Sequence, residues 1–518
     1  MSEKSKLTVY LIRKEINLFD DIVEEGIEKL SIDEQERIYY KKSYEKTPSW
    51  LKTFFNKSKS NLEEHIKNSS SNVLWLKKII INEVERIFAL SFGYGKHLLK
   101  KDVYEERFGI ITALNLIGEK TIRTINKTSI GTTNKSAREQ MPKQSGINDF
   151  GFDINSDLIG SISAKSENES IIEGIITGGE SFSCSANVNQ DNITDFLMKI
   201  YNAYTSDNYK ANFSWVDKIQ PVKSNGANEK LNLKMIESIN LSEEKFWMAV
   251  PEVIDWENVK GFKISNDRNI HDDILINKVM ESFKRPLDNI SQLRSKTIDV
   301  ISSLNEESII RWKAIDCIYG EIDLDDKSYC ISNGKWFEID SDYVSEINRE
   351  YLSTPISEVN FIDNPGLNED KYNEKLVNEN SGFLLMDKEL IVYGGGHSSI
   401  ELCDIITIDN KLIHIKKYGG SSVLGHLFNQ AVVSTRLIKS DKKFVIKANE
   451  KINNHNYEIN LQKEYEIIIA IISDDENEIP HIPFFAKIAF MHAYKTLLTM
   501  SVDVKIKRVK NVRIESNV

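Results

Sequence analysis

The stretch "IELCDIITIDNKLIHIKKYGGSSVLGHLFNQ", Ile400 to Gln430, sets an acid, a histidine and a lysine inside two adjacent apolar segments and then runs into a helix-like segment. Asp409-Asn410 between the apolar segments suits a tight turn. Period-two geometry puts Ile413 and Ile415 on one face of the second strand and His414 with Lys416 on the other. The isoleucines can face a core while His414 and Lys416 face a cleft. Asp404, near the end of the first strand, can approach that cleft; strict alternation sends Glu401 to the opposite face.

"LNEDKYNEKLVNEN" (Leu367 to Asn380), before this stretch, has the spacing of a helix carrying Glu374, with Gly382 placed where a chain can leave a helix. Three strands are expected over Phe383 to Tyr393, Ile400 to Thr407 and Leu412 to Tyr418, with Gly394 to Gly396 as the first turn. "SSVLGHLFNQAVVSTRLI" predicts a helix with an N-terminal serine cap. It sets His426 and Gln430 on one face by i,i+4 spacing. "KFVIKA" or "YEIIIAIIS" supplies a further strand. The resulting order is helix, three strands, helix, strand.

At 518 residues the chain is too long for one core. Three domains are expected: an N-terminal α/β domain over 1–160, a middle α+β domain over 161–350, and a C-terminal domain over 351–518, bordered by Pro355, Pro365 and Gly366. "KLTVYLIRK" alternates as a strand and "INLFDDIVEEGIEKL" has helical spacing. "EERFGIITALNLIG" predicts a helix ending at Gly118, and Thr124 to Asn155 reads as loop or short strands. Ser332-Asn333-Gly334 marks a hairpin turn. Asp323, Asp325 and Asp326 lack the glycine and terminal glutamate of a calcium loop and are assigned to that hairpin's surface.

No apolar run approaches the roughly 18 to 20 residues of a membrane helix, and the N-terminal segment has no apolar signal core. The four cysteines (Cys184, Cys317, Cys330, Cys403) form no CxxC pair. A cytoplasmic protein is expected. The formal net charge is −11, yet between Lys411 and Lys447 eight Lys or Arg face a single acid, Asp441. Lys417, Arg436, Lys439, Lys442 and Lys443 are therefore candidates for backbone phosphate contacts. A basic face that only balances acid elsewhere is the alternative.

The C-terminal order, with an Asp closing one strand and an x-Lys pair in the next, resembles the PD-(D/E)xK nuclease superfamily, whose restriction-endonuclease-like core is αβββαβ with a mixed sheet. The resemblance implies that Asp404 and the residue at position 414 bind a divalent ion, that Lys416 serves the attacking water, that Glu374 joins from the preceding helix, and that Gln430 supports the site. Asp404, Glu374 and His414 are then the expected metal ligands, with Mg²⁺ or Mn²⁺ as cofactor. His414 stands where the superfamily usually has Glu, Asp or Gln, and histidine suits transition ions better than Mg²⁺. Across nearly the whole chain, "LTVYLI", "GYGKHLL", "RFGIITALNLI", "YKANFSWVDKI", "GKWFEID", "YNEKLV", "ELCDIIT", "LIHIKK" and "LGHLFNQAVVS" resemble, in order, the bacterial family described as "sporadically distributed protein", which has a defence or mobile-element flavour.

The resemblances together imply a cytoplasmic, metal-dependent nuclease acting on nucleic acid, DNA first, in defence against phage or mobile elements. No membrane partner is expected; a homo-oligomer and a defence partner protein are both compatible. The alternative is a non-catalytic nucleic-acid-binding or scaffold protein built on a degenerate nuclease fold.

Overall fold

The computed structural model describes residues 4–41, 71–129, 135–168, 170–283, 285–303, 307–393, 399–452 and 457–512. It is a mixed α+β protein with several sheets, and the chain separates into two compact units. The first comprises Met1–Thr128 and Ala137–Val216; the second comprises Ser129–Ser136 and Asp217–Val518.

The first unit is built on a ten-stranded sheet. Ser5–Leu11 pairs with Val84–Gly93 on one side and Phe182–Ala186 on the other. The helix Phe108–Leu116 is apolar almost all round and buried, packing with Ile193–Thr205 in one core with Val9, Phe88 and Phe182. Gly109 permits this approach, since a Cβ there would lie 2.0 Å from the Ser181 carbonyl. Three expectations change. Only Phe19–Ile22 of the first predicted helix is helical, and Glu28–Ser31 after it is a strand. The polar tract after Thr124 contributes the long strands Ile117–Ser129 and Lys135–Ser145. The boundary at 160 falls inside the strand Asp157–Ser166, which pairs onward with Ile175–Gly178, so the unit continues to Val216.

The second unit holds separate cores. One is formed by helix Asn225–Asn240 with a five-stranded and a three-stranded antiparallel sheet, around Met235, Phe246, Phe262, Trp312 and Trp336. The tight turns of the five-stranded sheet use positive φ at Asp325-Asp326 and at Asn333-Gly334. The expected border at 350 lies inside helix α1 (Ser341–Leu352), whose Tyr343 and Tyr351 meet Phe484 and Phe490 edge to face. The prolines do not separate domains either: Ile356 and Asn364 bridge to Ile506 and Asn511 at the last strand.

The C-terminal layer follows. Its elements are α2 (Glu369–Glu379), β1 (Phe383–Leu385), β2 (Leu390–Val392), β3 (Ser399–Glu401), β4 (Ile405–Thr407), β5 (Lys411–Lys417), α3 (Ser421–Ser440), α4 (Lys442–Ile452), β6 (Glu466–Ser473), α5 (Phe484–Thr499) and β7 (Asp503–Lys510). The sheet order is β1-β4-β5-β6-β7, antiparallel through β5 and parallel from β5 to β7. β6 is an inner strand, and its "EIIIAIIS" run is buried on both faces, as a parallel strand covered by helices on each side requires. Ile468, Ala470 and Ile472 meet Tyr372 and Leu376 of α2, while Ile467, Ile469 and Ile471 meet Leu424, Leu427 and Phe428 of α3. "KFVIKA" lies in α4, not in a strand. The glycine turn expected at Gly394 to Gly396 lies outside the described residues.

Candidate metal centre

Two of the three expected strands are broken, and the breaks build the site. The first divides into β1 and β2 at a bend where Lys388 has φ of 62°. The second divides into β3 and β4 across Leu402 to Asp404, and β2 with β3 forms a two-stranded hairpin of its own. Alternation is interrupted between Glu401 and Asp404, so the two carboxylates end on the same side, contrary to the strict-period expectation. Asp404 is anchored through its backbone: its N–H donates to the Ile413 carbonyl at 3.0 Å and its carbonyl accepts from Met386 N–H at 2.8 Å. Its Oδ2 accepts from Ile415 N–H at 2.6 Å.

Asp387, at the end of the β1 segment, completes a group of three. One carboxylate oxygen from each of Asp387, Glu401 and Asp404 lies within 4.8 Å of the others. Lys388 N–H donates to Glu401 Oε1 at 2.7 Å, and Gln430 Nε2 of α3 donates to Glu401 Oε2 at 2.9 Å. Asn373 of α2, 1% exposed, donates through Nδ2 to Asp387 at 3.2 Å; its Oδ1 is buried with no hydrogen-bond partner. The Asp404 carboxyl is pushed up to about 8, first by burial and further by the charges of Glu401, Asp387 and Glu369, against the Ile415 amide. Burial, with Asp387, also raises Glu401. Two like charges about 4 Å apart repel by roughly 4 kcal/mol at an intermediate effective dielectric. Three converging oxygens and an orphaned amide oxygen therefore fit a hard divalent cation such as Mg²⁺ or Mn²⁺.

Lys416 extends from β5 to Glu369, the first residue of α2, with Nζ 2.8 Å from Oε2. Burial opposes its charge, but Glu369, Asp404 and Glu401 outweigh this and raise its pKa. It therefore holds its proton at neutral pH. Of the residues expected from sequence, the structure thus gathers Asp404, Lys416 and Gln430.

Two expected ligands are corrected. Glu374 is exposed. On α2 it is rotated one residue, about 100°, from Asn373, which faces the group; Glu369, one turn before Asn373, takes the acidic role beside Lys416. His414 is fully buried, and neither ring nitrogen has a hydrogen-bond partner. Burial lowers its pKa to about 3, so it is neutral. It is absent from the converging group found among the described residues. His426 is exposed, whereas Gln430 is half-buried.

The basic candidates divide. Lys417, Arg436, Lys442 and Lys443 are exposed, whereas Lys439 is part-buried and donates to the Lys463 carbonyl at 3.4 Å. Asp387, Glu369 and Asn373 were missed by sequence reasoning. The available signals were an acid ending the apolar run "GFLLMD" and the "NED" opening of α2, where Asn368 caps the helix through Lys371 N–H.

The chain belongs to the Family of unknown function (DUF6119), whose model matches residues 7–510. No curated protein and no solved structure matches it.

Proposed function

We propose that this protein is a divalent-metal-dependent nuclease hydrolysing phosphodiester bonds, with DNA as its substrate. The observation that carries the reading is the convergence of Asp387, Glu401 and Asp404 beside the charged Lys416 at one end of a mixed sheet. The order α2, β1, β4, β5, α3, β6 supports it, because it follows the αβββαβ plan of the restriction-endonuclease-like core. The acid usual at the position of His414 is missing. The β2–β3 hairpin offers Glu401 in its place and the β1–β2 bend offers Asp387.

In this reading Asp387, Glu401 and Asp404 hold the ion, which supplies charge neutralisation at the phosphoryl group and lowers the pKa of bound water. Lys416 keeps its proton and acts as a fixed cation toward the nucleophile or a phosphoryl oxygen, not as a general base. Glu369 limits where the Lys416 ammonium can sit. Gln430 and Lys388 N–H fix both oxygens of Glu401. A defence role against phage or mobile elements is part of the proposal and rests on the family resemblance alone.

The test is cleavage of plasmid, linear DNA and RNA by purified wild type, Asp404→Ala and Lys416→Ala, each with Mg²⁺ and with Mn²⁺. Metal-dependent products lost in both variants are expected. Cleavage retained in both would sink the assignment. DNA binding indifferent to metal, without products, would favour the non-catalytic fold that the buried His414 suggests.

A further inference from the structure

Another buried carboxylate lies outside the candidate metal centre, in the five-stranded sheet of the middle region. Glu321, on the strand Ile318–Leu324, is 8% exposed and points into the C-terminal layer. Its Oε1 accepts from the Ser421 hydroxyl, and its Oε2 accepts from Phe485 N–H at 3.0 Å. Ser421 is the first residue of α3, and Phe485 is the second of α5. One side chain from another core therefore sits at the N-termini of the two helices that pack together behind β5 and β6. The serine expected to cap α3 does not: α3 has no side-chain cap of its own, and Ser421 donates outward to Glu321.

The seam is tight around this point. A Cβ on Gly420 would stand 1.9 Å from the Glu244 carbonyl, and one on Gly419 would stand 2.6 Å from a Glu244 carboxylate oxygen. The turn from Lys416 into α3 is therefore seated against Glu244, just before the strand Phe246–Met248. A negative group at two helix N-termini is favoured by the free amides and the helix dipole there. Burial is the larger influence and holds the Glu321 carboxyl up to about 7. The titratable neighbours are Asp323 on its own strand, Cys330 on the paired strand, Tyr418 on the turn before α3, and Lys487 on α5, which donates to Asn348 of α1 at 2.7 Å.

We propose that Glu321 is a positioning residue for the carboxylate group, setting the pose of α3 so that Gln430 meets Glu401. From Ser421 to Gln430 the helix runs nine residues, about 13.5 Å, and it packs on α5 through Phe428 and Phe490 along the way. A displacement of its first turn is thus carried to Gln430 by a packed helix and not by a loop. The middle region thereby participates in the site without contributing a ligand. The consequence for metal affinity rests on the reading of the carboxylates as a cation site; the helix coupling does not.

Hydrogen exchange of the full chain tests the coupling. Wild type, Glu321→Gln and Ser421→Ala are compared in peptides covering 399–404, 421–433 and 466–473. Glutamine keeps one acceptor and loses the other, and Ser421→Ala removes only the hydroxyl donor, so a folding failure of the first variant leaves the second to decide. We expect exchange in 399–404 to rise at least threefold in either folded variant, with the inner strand 466–473 unchanged. A rise confined to 421–433, or an equal rise in 466–473, overturns the proposal, since it reports a local cap or global destabilisation. Mn²⁺ titration of the same samples separates the two readings. Wild type that fails to bind Mn²⁺ sinks the metal site, while the exchange pattern still decides the role of Glu321.

Discussion

At the scale of single residues, Asp404 is costly in the absence of a cation. Its carboxyl titrates near 8 in the folded chain against an ordinary value of 3.8. The folded state therefore binds this proton more tightly than the unfolded state. By linkage, stability attributable to Asp404 is highest below about 4, falls as pH rises through about 8, and is lowest above it. Each unit of such a shift corresponds to about 1.4 kcal/mol. Asp404→Asn keeps an acceptor for Ile415 N–H and removes the ionisation. Without metal, it is expected to melt several degrees above wild type at pH 9 and to match it near pH 4. Mn²⁺ should raise the melting temperature of wild type but not of this variant. A variant less stable than wild type at pH 9 would contradict the buried-charge account. His414 differs in kind. Its two unpartnered nitrogens each carry a desolvation cost of about 1–3 kcal/mol, and the sequence pattern that put it in the cleft could not show that β5 is covered by α3 at that point.

At the scale of elements, the α2–β1–β4–β5–α3–β6 order was legible because "KLIHIKK" alternates, the long helix of Gln430 has helical spacing, and "YEIIIAIIS" is an unbroken apolar run of strand length. The site was only partly legible. Asp404 and Lys416 emerged from alternation within one strand pair, but Glu401 and Asp387 depend on breaks in two strands. Such breaks come from a left-handed Lys388 and a short separate hairpin, and neither has a period to detect. The helix α2 shows a smaller failure of the same type: its acids are at positions 369, 370, 374 and 379, and only three-dimensional packing chooses among them. Asn373 and Glu369 point inward, Glu374 outward. On the proposed nuclease reading, Glu369→Gln should lower the metal-dependent cleavage rate by about 10-fold to 100-fold, a range typical of losing support for a charged group at a site. Glu374→Gln should stay within about twofold. Steady-state rates of the two variants against wild type check this, and the reverse ranking would restore Glu374 to the site.

At the scale of the whole molecule, a net charge of −11 sets the terms on which a polyanion can approach. No helix among the described residues is long and apolar enough to cross a membrane. On the proposed nuclease reading, DNA would have to bind locally, and the C-terminal layer has cations to offer. Lys442 and Lys443 are exposed at the start of α4. That helix is tied to the site hairpin, since Lys447 Nζ donates to the Val392 carbonyl at 2.8 Å and Lys451 Nζ lies 3.1 Å from Glu389. Lys439 is already engaged with the Lys463 carbonyl, so its removal would act on packing as well as charge. The informative variant is therefore Lys442→Ala with Lys443→Ala. Each phosphate contact contributes about 0.9 to the slope of log affinity against log salt on duplex DNA. Losing two contacts should make that slope shallower by about 1.8, weaken binding at low salt, and do so equally for unrelated sequences. Fluorescence anisotropy of a labelled duplex, titrated from low to moderate salt, measures all three effects. A slope unchanged in the double variant would assign these lysines to a solvated face and leave Lys417, exposed at the end of β5, and Arg436, exposed in the C-terminal half of α3, as the cations for the proposed DNA path.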